Sequence, residues 1–302
     1  MLARPGLPSF EYIKADSADE VTRLLDQHGS AAKLLMGGTD LLIRMRNGLI
    51  RPYIVIDVKH LPGMQEVAYD EQQGLTVGAA VTMNQLARHP DVRAHYPLLA
   101  EACRAVGSYQ LRNRATIGGN LCNASPASDT APATLVLDGQ IELYGPDGAR
   151  QVPAGAFFLG PGKTAMQAGE LMTGIHFSPP PANSAGRYLK LGRNKISDLA
   201  LVSVAIWGGA DETTVSGFRF RLALGAVAPT PLRLPGVEAF LAAHDLDKET
   251  LAQAAEQAAQ QATPIDDVRS SAVYRKAMVR NLTLRGLQAV WEEYDARVRR
   301  IK

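Results

Sequence analysis

The sequence is short of cysteine, of long apolar runs and of excess charge. Its two cysteines, Cys103 and Cys122, cannot form a disulfide framework, and an iron–sulfur cluster normally takes four ligands. No stretch of about 18 apolar residues is present, so no membrane span is predicted, and the first residues lack an apolar core of signal-peptide length. The 32 basic and 30 acidic residues nearly cancel, which does not favour binding to nucleic acid. These features predict a reduced, cytoplasmic protein.

Two domains are predicted from the length of 302 residues and from one proline-rich segment. Chains beyond about 250 residues usually split into more than one core. Residues 178–186 contain three prolines, which exclude a helix or a central strand there. We therefore predict a first domain over residues 1–178, with subdomains near 1–58 and 59–178, and a second domain over residues 187–302.

The start of the first domain alternates helical and strand patterns. Apolar spacing predicts a helix over residues 17–28 and another over 40–47, each followed by glycine. Short apolar runs predict strands over 33–36 and 53–58. A strand, a helix and a strand with short connections predict a small parallel βαβ unit.

The rest of the first domain mixes strands with one helix. Residues 74–81 and 170–177 have strand patterns, and residues 96–106 have a helical one. Residues 141–152 predict a hairpin that turns at 145–148, where proline and glycine supply the turn dihedrals.

The second domain has a different pattern. An apolar run over 199–207 and an alternating segment over 218–224 predict strands, the latter half-buried. Residues 249–262 and 272–300 predict two helices. The second domain is therefore expected to hold antiparallel strands followed by helices, which makes the whole chain α+β.

A first glycine-rich turn, Met36-Gly37-Gly38-Thr39-Asp40, joins a predicted strand to a predicted helix. The start of a helix presents unpaired backbone N–H groups, and glycine lets a phosphate approach them. On this motif alone, an ordinary strand-to-helix turn is the simpler interpretation.

A second turn, Thr116-Ile117-Gly118-Gly119-Asn120, is followed by a loop rich in small polar residues up to Asp129. Ser128 or Asp129 is predicted to cap the helix that Pro132 helps to start. A long loop without a ligand remains an alternative for this segment by itself. Two such turns on neighbouring units favour a cleft for a ligand with phosphates and sugar hydroxyls.

Other motifs are incomplete. Gly162-Lys163-Thr164 resembles the end of a phosphate-binding loop, but Phe157 stands where that motif needs glycine. There is no G-x-G-x-x-G motif, no G-x-S-x-G motif and no close pair of histidines. We therefore predict no catalytic residue and no metal ligand on this chain.

The two glycine turns, and Gln110-Leu111-Arg112-Asn113 before the second, resemble those of the FAD-binding medium subunits of molybdenum hydroxylases. This family includes xanthine dehydrogenase and aerobic carbon monoxide dehydrogenase, and the bacterial three-subunit xanthine dehydrogenases look most similar. The resemblance extends to residues 159–163, 225–231 and 274–284. It implies a two-subdomain FAD-binding domain of the vanillyl-alcohol-oxidase (PCMH) type. A C-terminal sheet-plus-helix domain like that of the carbon monoxide dehydrogenase flavoprotein would follow it.

The resemblance also implies the residues that hold FAD. The pyrophosphate would lie between the two turns, Asn123, Ser128 and Asp129 would bind the ribityl and phosphate region, Met172 would lie beside the flavin or adenine, and Lys190 near the isoalloxazine. The implied cofactor-binding residues are Leu34, Leu35, Met36, Gly37, Gly38, Thr39, Asp40, Leu41, Thr116, Gly118, Gly119, Asn120, Asn123, Ser128, Asp129, Met172 and Lys190.

The implied cofactor is noncovalent FAD, which would pass electrons from a partner to NAD+ or another acceptor. The molybdenum cofactor would lie on a large partner subunit and the 2Fe-2S clusters on a small one. Relatives with a four-iron cluster carry a cysteine-rich insertion after the second turn, where this chain has only Cys122, so no cluster is expected here. Two alternatives remain: a flavin-free binding or assembly module, and a stand-alone flavin oxidase of the same fold, for which Cys122 could serve as a covalent tether.

Overall fold

The computed structural model describes residues 6–194 and 197–301, with side chains as far as residue 296. Within these residues the chain forms a three-stranded, a five-stranded and a four-stranded sheet, together with a short two-stranded ribbon. The helices pack on the sheets and fill the space between them. The mixture confirms the α+β class.

The first subdomain is a small parallel sheet with strand order β1-β3-β2. Its elements in chain order are β1 (Glu11–Lys14), α1 (Ala18–His28), β2 (Ala32–Leu35), α2 (Leu41–Arg46) and β3 (Ile54–Asp57). The predicted βαβ unit is confirmed as β2, α2 and β3. The sequence analysis missed β1, because this strand is mostly exposed and has no buried face to produce an apolar pattern.

Helix α1 begins and ends as its sequence predicts. The Ser17 side chain accepts a hydrogen bond from the Glu20 amide, and Gly29 ends the helix with a φ of 51°. A serine cap and a terminal glycine in the left-handed region are local signals, since neither depends on distant parts of the chain.

The second subdomain is an antiparallel sheet with strand order β4-β5-β10-β6-β7. Its strands are β4 (Val67–Asp70), β5 (Gly74–Gly78), β6 (Gln140–Gly145), β7 (Gly148–Pro153) and β10 (Leu171–Phe177), and β8 (Phe158–Gly160) and β9 (Lys163–Thr164) form the ribbon. Its helices are α3 (Met83–Arg88), α4 (Pro90–His95), α5 (Pro97–Ala105), α6 (Tyr109–Arg112), α7 (Ile117–Cys122), α8 (Thr130–Val136) and α9 (Ala154–Phe157).

The predicted hairpin over 141–152 is confirmed as β6 and β7, with Gly148 at a φ of 92° in its turn. The predicted strand over 74–81 is too long. It ends at Gly78, because the Ala80 amide leaves the sheet and donates to the carbonyl of Met64. This departure carries the chain toward the second glycine turn.

The C-terminal region is an antiparallel sheet with strand order β11-β12-β13-β14, followed by helices. Its elements are β11 (Ala185–Leu191), β12 (Val202–Ala210), β13 (Phe218–Gly225), β14 (Leu232–Arg233), α10 (Pro235–Ala242), α11 (Lys248–Gln261) and α12 (Ala272–Ile301). The predicted strands and both long helices are confirmed. Strand β11 begins at Ala185, so the last two residues of the predicted linker are part of an edge strand.

The apolar core of the first half extends onto one face of the C-terminal sheet, which has a second apolar core of its own with the C-terminal helices. Tyr188, Trp207 and Ala223 of the C-terminal sheet belong to the core of the first half. Helices α5 and α8 of the first half pack on this face of the C-terminal sheet. The polar side of β13 faces solvent at Arg219, but its later part is covered by the first half of the chain. Arg221 on that side stacks 4.6 Å from the Trp207 ring and pairs with Asp138, which follows α8. The domain boundaries predicted from the linker stay a prediction.

Candidate cofactor-binding site

The first glycine turn leaves five consecutive backbone amides without a partner. Strand β2 ends at Leu35 and α2 begins at Leu41. Among the described residues, the N–H groups of residues 37–41 have no hydrogen-bond acceptor. Gly38 makes the turn possible with a φ of 72°. A run of free amides at the start of a helix is a binding arrangement for an anion such as a pyrophosphate.

The second glycine turn is hydrogen-bonded to the segment that follows β5. The amides of Ile117 and Gly118 donate to the carbonyls of Val81 and Ala79. A Cβ atom on Gly118 would lie 2.6 Å from the Cβ of Ala79 and 2.7 Å from its carbonyl oxygen. The Thr116 hydroxyl caps α7 by accepting from the Gly119 amide at 3.1 Å. The turn is therefore built on a rigid support.

The two turns lie against each other. A Cβ atom on Gly37 would lie only 2.2 Å from the Arg114 carbonyl oxygen, just before the second turn. The Thr116 hydroxyl is 3.8 Å from the Met36 sulfur, and the Asn123 amide nitrogen is 3.4 Å from a carboxylate oxygen of Asp40. The expectation that both turns border one cleft is consistent with these contacts.

Two of the glycines have a structural role that the sequence did not predict, beside the expected close approach of a phosphate. The structure shows that Gly37 and Gly118 lack a side chain because neighbouring backbone occupies that space, at Arg114 and Ala79 respectively. Gly37 therefore lets the first turn approach the second subdomain, and Gly118 lets the second turn pack on the segment that follows β5.

Asn120 organises the loop after the second turn. Its side-chain oxygen accepts from the hydroxyls of Ser128 and Thr130 at 2.7 and 2.5 Å, and from the Thr130 amide at 3.4 Å. The prediction that Ser128 or Asp129 caps α8 is wrong. Asp129 occupies the cap position with helical dihedrals (φ −74°, ψ −32°) and no side-chain hydrogen bond to the helix, since a capping side chain needs an extended residue. Asn120, which lies in α7, caps α8 by accepting from the Thr130 amide.

Asp129 turns instead toward the C-terminal sheet. Its two carboxylate oxygens accept from the Tyr188 hydroxyl at 2.7 Å and from the Lys190 ammonium at 2.8 Å, and Lys190 also donates to the Ala105 carbonyl at 2.9 Å. Burial raises the pKa of the Asp129 carboxyl, and the Lys190 ammonium acts in the opposite direction. Burial also raises the pKa of the Tyr188 hydroxyl well above its usual value.

Tyr188 was missed by the sequence analysis. It lies two residues before Lys190 on β11, so both side chains lie on the same face of that strand. The spacing of two residues from Lys190 was the only signal in the sequence that could have pointed to Tyr188. The Asp129, Tyr188 and Lys190 side chains, which we call the buried ion-pair cluster, connect the C-terminal sheet to the polar loop of the second turn.

The predicted site residues differ in their exposure. Leu34, Leu35 and residues 37–41 are at least partly exposed, as are Gly119 and Asn120, whereas Met36, Thr116 and Gly118 are buried. Ser128 is 2% and Asp129 6% exposed, and the Met172 side chain has no exposed surface. The structure therefore brings the two turns and Asn123 together, and it places Ser128, Asp129, Lys190 and Met172 behind them. Direct contact of these four residues with a cofactor stays a prediction.

Cys122 is partly exposed, but its sulfur packs against two methionines. Its sulfur lies 3.7 Å from the sulfurs of Met166 and Met172, and burial raises the pKa of its thiol to about 12. A thiol with so high a pKa forms little thiolate, which is the reactive form. This packing argues against Cys122 as a covalent flavin tether.

The thiol chemistry is directly testable. Burial also raises the pKa of the Cys103 thiol to about 12, so native protein should react with iodoacetamide at pH 8 more than about 1,000-fold slower than free cysteine. In guanidinium chloride, both cysteines should react at the free rate. Rapid labelling of Cys122 in the native protein, located by peptide mass spectrometry, would contradict the packing of its sulfur against Met166 and Met172.

Within residues 6–194 and 197–301, no group of three His, Cys, Asp or Glu side chains is placed to hold a metal ion. No helix in the same part of the chain is long and apolar enough to cross a membrane.

Two abutting glycine turns, one with free amides, on an α+β scaffold with a C-terminal sheet define a protein that binds a phosphate-bearing cofactor. Comparison with known proteins identifies the class. Residues 8–180 match the family described as the FAD binding domain in molybdopterin dehydrogenase, and residues 187–290 match the CO dehydrogenase flavoprotein C-terminal domain. The chain belongs to this family of FAD-binding subunits of molybdenum hydroxylases, which are oxidoreductases.

Individual relatives agree over nearly their whole length. The chain is 36% identical to the carbon monoxide dehydrogenase medium chain of Hydrogenophaga pseudoflava, over 94% of this chain and 98% of the relative. It is 32% identical to the xanthine dehydrogenase FAD-binding subunit of Escherichia coli O157:H7, over 89% of this chain and 91% of the relative. A chain of the solved Hydrogenophaga pseudoflava carbon monoxide dehydrogenase superimposes with a TM-score of 0.90 over 95% of this chain and 99% of that chain.

Proposed function

We propose that this chain is the electron-transfer subunit of a molybdenum hydroxylase complex, with noncovalent FAD bound between its two glycine turns. Electrons would come from 2Fe-2S clusters on a small partner subunit, which receives them from a molybdenum cofactor on a large one. Bound FAD supplies the conversion between one-electron and two-electron transfer. The observation that carries this proposal is the run of free amides at residues 37–41 beside the second turn.

The residues of this chain divide into those that would hold the cofactor and those that position them. The amides of residues 37–41 would donate to the pyrophosphate oxygens, since they have no acceptor among the described residues. Asn120 keeps its side-chain N–H groups available, because its hydrogen bonds to Ser128 and Thr130 use only the oxygen. The buried ion-pair cluster would hold the polar loop in place from behind.

The partners are inferred from the relatives, and the acceptor from the chemistry of flavin, which can pass a hydride to NAD+ or electrons to another carrier. Carbon monoxide dehydrogenase medium chains are by name one component of a larger enzyme, and this chain spans 98% of one of them. We further propose NAD+ as the acceptor, a cytoplasmic location, and a complex of the xanthine dehydrogenase type. We also propose a FAD-binding domain over 1–178 and a C-terminal domain over 187–302, a division that the matched ranges 8–180 and 187–290 support.

The proposal is tested by the visible absorption spectrum of the purified complex and of the chain alone, before and after anaerobic NADH. A flavin spectrum that acid releases and NADH bleaches is the expected result. A flavin spectrum unchanged by NADH would retain FAD and reject NAD+ as the acceptor. A complex that releases no flavin on acid treatment, together with a purified chain that is colourless even after incubation with FAD, would reject the cofactor and favour the flavin-free alternative.

A further inference from the structure

Two C-terminal segments that share the family resemblance lie outside the two glycine turns. They are residues 225–231, which begin at the end of β13, and residues 274–284 of α12. In the structure these segments meet, because Arg275 at the start of α12 donates a hydrogen bond to the Ala226 carbonyl at 3.3 Å. The contact therefore joins two stretches of chain that the glycine turns alone do not explain.

Ala226 connects this contact to the polar loop that follows the second glycine turn. Its amide donates to the Pro126 carbonyl at 2.8 Å. Pro126 lies in a tight turn over residues 125–128, which a backbone hydrogen bond of 2.9 Å closes. The Ser128 hydroxyl then donates to the Asn120 side chain at 2.7 Å. A continuous series of hydrogen bonds and one tight turn therefore runs from the start of α12 to the second glycine turn.

Ala226 has an unfavourable backbone conformation. Its φ is 64°, in the left-handed region where residues other than glycine are uncommon. The residue is fixed there from both sides, since its amide donates to Pro126 and its carbonyl accepts from Arg275. The next carbonyl, that of Val227, accepts from the Thr263 amide at 2.8 Å. Such a conformation persists only where its surroundings determine it, so Arg275 supports the turn that directs the Ala226 amide at the polar loop.

Stability alone does not account for the burial of Arg275. Its side chain is 2% exposed, and its Nε has no hydrogen-bond acceptor among the described residues. One of its terminal nitrogens lies 2.6 Å from a carboxylate oxygen of Asp267. Replacing a buried ion pair with apolar residues is often neutral or stabilising. The geometry that the guanidinium imposes on Ala226 is therefore the better explanation of its position.

Asp267 keeps a partner when Arg275 is replaced. The Arg269 guanidinium donates to the other carboxylate oxygen of Asp267 at 3.0 and 2.6 Å. Hydrogen bonding from Arg269 is the main reason why the pKa of the Asp267 carboxyl lies well below its usual value. The hydrogen bonds of the Arg269 guanidinium go to Asp267, whereas Arg275 also donates to Ala226. The two arginines are therefore a matched pair for substitution.

We propose that Arg275 is a positioning residue for cofactor binding, which fixes the polar loop through the Ala226 turn. This inference rests on the proposed function, because it assumes that FAD binds between the two glycine turns. Asn123 and Ser128 on that loop are predicted cofactor contacts, and the Ala226 amide holds the loop between them, at Pro126. Without Arg275, the loop would sample more positions in the folded protein, and FAD would bind more weakly.

The test measures FAD affinity in the complex assembled from co-expressed subunits. FAD is removed from the purified complex and added back, and its dissociation constant is taken from the change in flavin fluorescence on binding. Arg275→Met is compared with the control Arg269→Met, which removes the other guanidinium from the same carboxylate. Urea unfolding of each variant records its stability separately.

We expect Arg275→Met to raise the dissociation constant of FAD about tenfold, the usual order for the loss of one hydrogen bond from a charged donor. Arg269→Met should leave the constant unchanged. Adding Ala226→Gly to Arg275→Met should restore most of the affinity, because glycine adopts a φ of 64° without strain. A merely structural role of Arg275 would not produce this recovery.

An unchanged dissociation constant in a folded Arg275→Met complex would overturn the proposal. An equal increase in Arg269→Met would also overturn it, because the effect would then belong to the charge of Asp267, and so would a failure of Ala226→Gly to restore affinity. If Arg275→Met does not fold, Ala226→Val takes its place. A β-branched residue strains the left-handed turn, so this variant should weaken FAD binding, and wild-type affinity in it would overturn the proposal.

Failure of the positioning role and failure of the proposed function give different results. A wild-type complex that releases no flavin and does not bind added FAD would reject the function. A wild-type complex that binds FAD, with an affinity that Arg275→Met does not change, would reject only the positioning role.

Discussion

Replacing Gly37 with alanine is expected to remove most of the FAD from the purified complex and to lower the free energy of unfolding by about 3 kcal/mol, at the upper end of the usual cost of overpacking. The new Cβ atom would lie 2.2 Å from the carbonyl oxygen and 2.9 Å from the carbonyl carbon of Arg114. Both atoms belong to the backbone, so a side-chain rotation cannot relieve the clash. The first turn must therefore move away from the second, which opens the cleft.

The matched control is Gly155→Ala. Gly155 lies in α9, and a Cβ atom there meets nothing within 4 Å. Alanine in a helix is favoured over glycine by about 0.5–1 kcal/mol, so this variant should be as stable as the wild type or slightly more stable. The measurements are flavin absorbance per protein and the urea unfolding midpoint. Wild-type flavin content and stability in Gly37→Ala would disprove the close contact between the two turns.

The second large effect is expected for Lys190→Met, which should lower the free energy of unfolding at neutral pH by about 3–5 kcal/mol, the usual cost of leaving one buried charge unpaired. Lys190 contributes the ammonium of the buried ion-pair cluster, 2.8 Å from an Asp129 oxygen. Methionine keeps much of the volume of the lysine side chain. It leaves the Asp129 carboxylate with one hydrogen-bond donor in the cluster, the Tyr188 hydroxyl. Asp129 lies between Ser128 and Thr130, which both donate hydrogen bonds to Asn120 in the second turn. FAD affinity should therefore fall as well.

The pH dependence of this loss has a definite sign. Without Lys190, burial raises the pKa of the Asp129 carboxyl further above its unfolded value, so the folded state binds a proton that the unfolded state releases. Stability of the variant therefore decreases as the pH rises from the unfolded pKa through the folded one. The deficit relative to the wild type should be smaller at acidic pH than at neutral pH, as urea unfolding at the two pH values would show.

The double variant Lys190→Met/Asp129→Asn is the control for charge. It removes both ions, so the pH-dependent part of the deficit should disappear and part of the stability should return. The coupling between the two sites follows from the double-mutant cycle. Additive losses in the two single variants, with no pH dependence, would show that the pair does not interact in solution.

Elements with local signals were predictable from the sequence. Helix α1 has its serine cap and terminal glycine, and the β6–β7 hairpin has its proline and glycine turn. Strand β1 was not predictable, because it is exposed and is defined by its pairing with β3, about 40 residues further on. The length of β5 was overestimated for a similar reason, since the Met64 carbonyl ends it.

The sequence by itself determined that two glycine turns exist, that each joins a short strand or loop to a helix, and that together they resemble those of one flavoprotein family. These features are contained in short stretches of chain, where residue type decides backbone conformation. The tertiary structure alone decided what the residues of the turns contact. Gly37 lies against the Arg114 carbonyl. Asn120 caps α8, the helix that Ser128 or Asp129 was predicted to cap. Asp129 instead pairs with Lys190, 61 residues away. Such contacts depend on how the sheets pack, which no local pattern of residues contains.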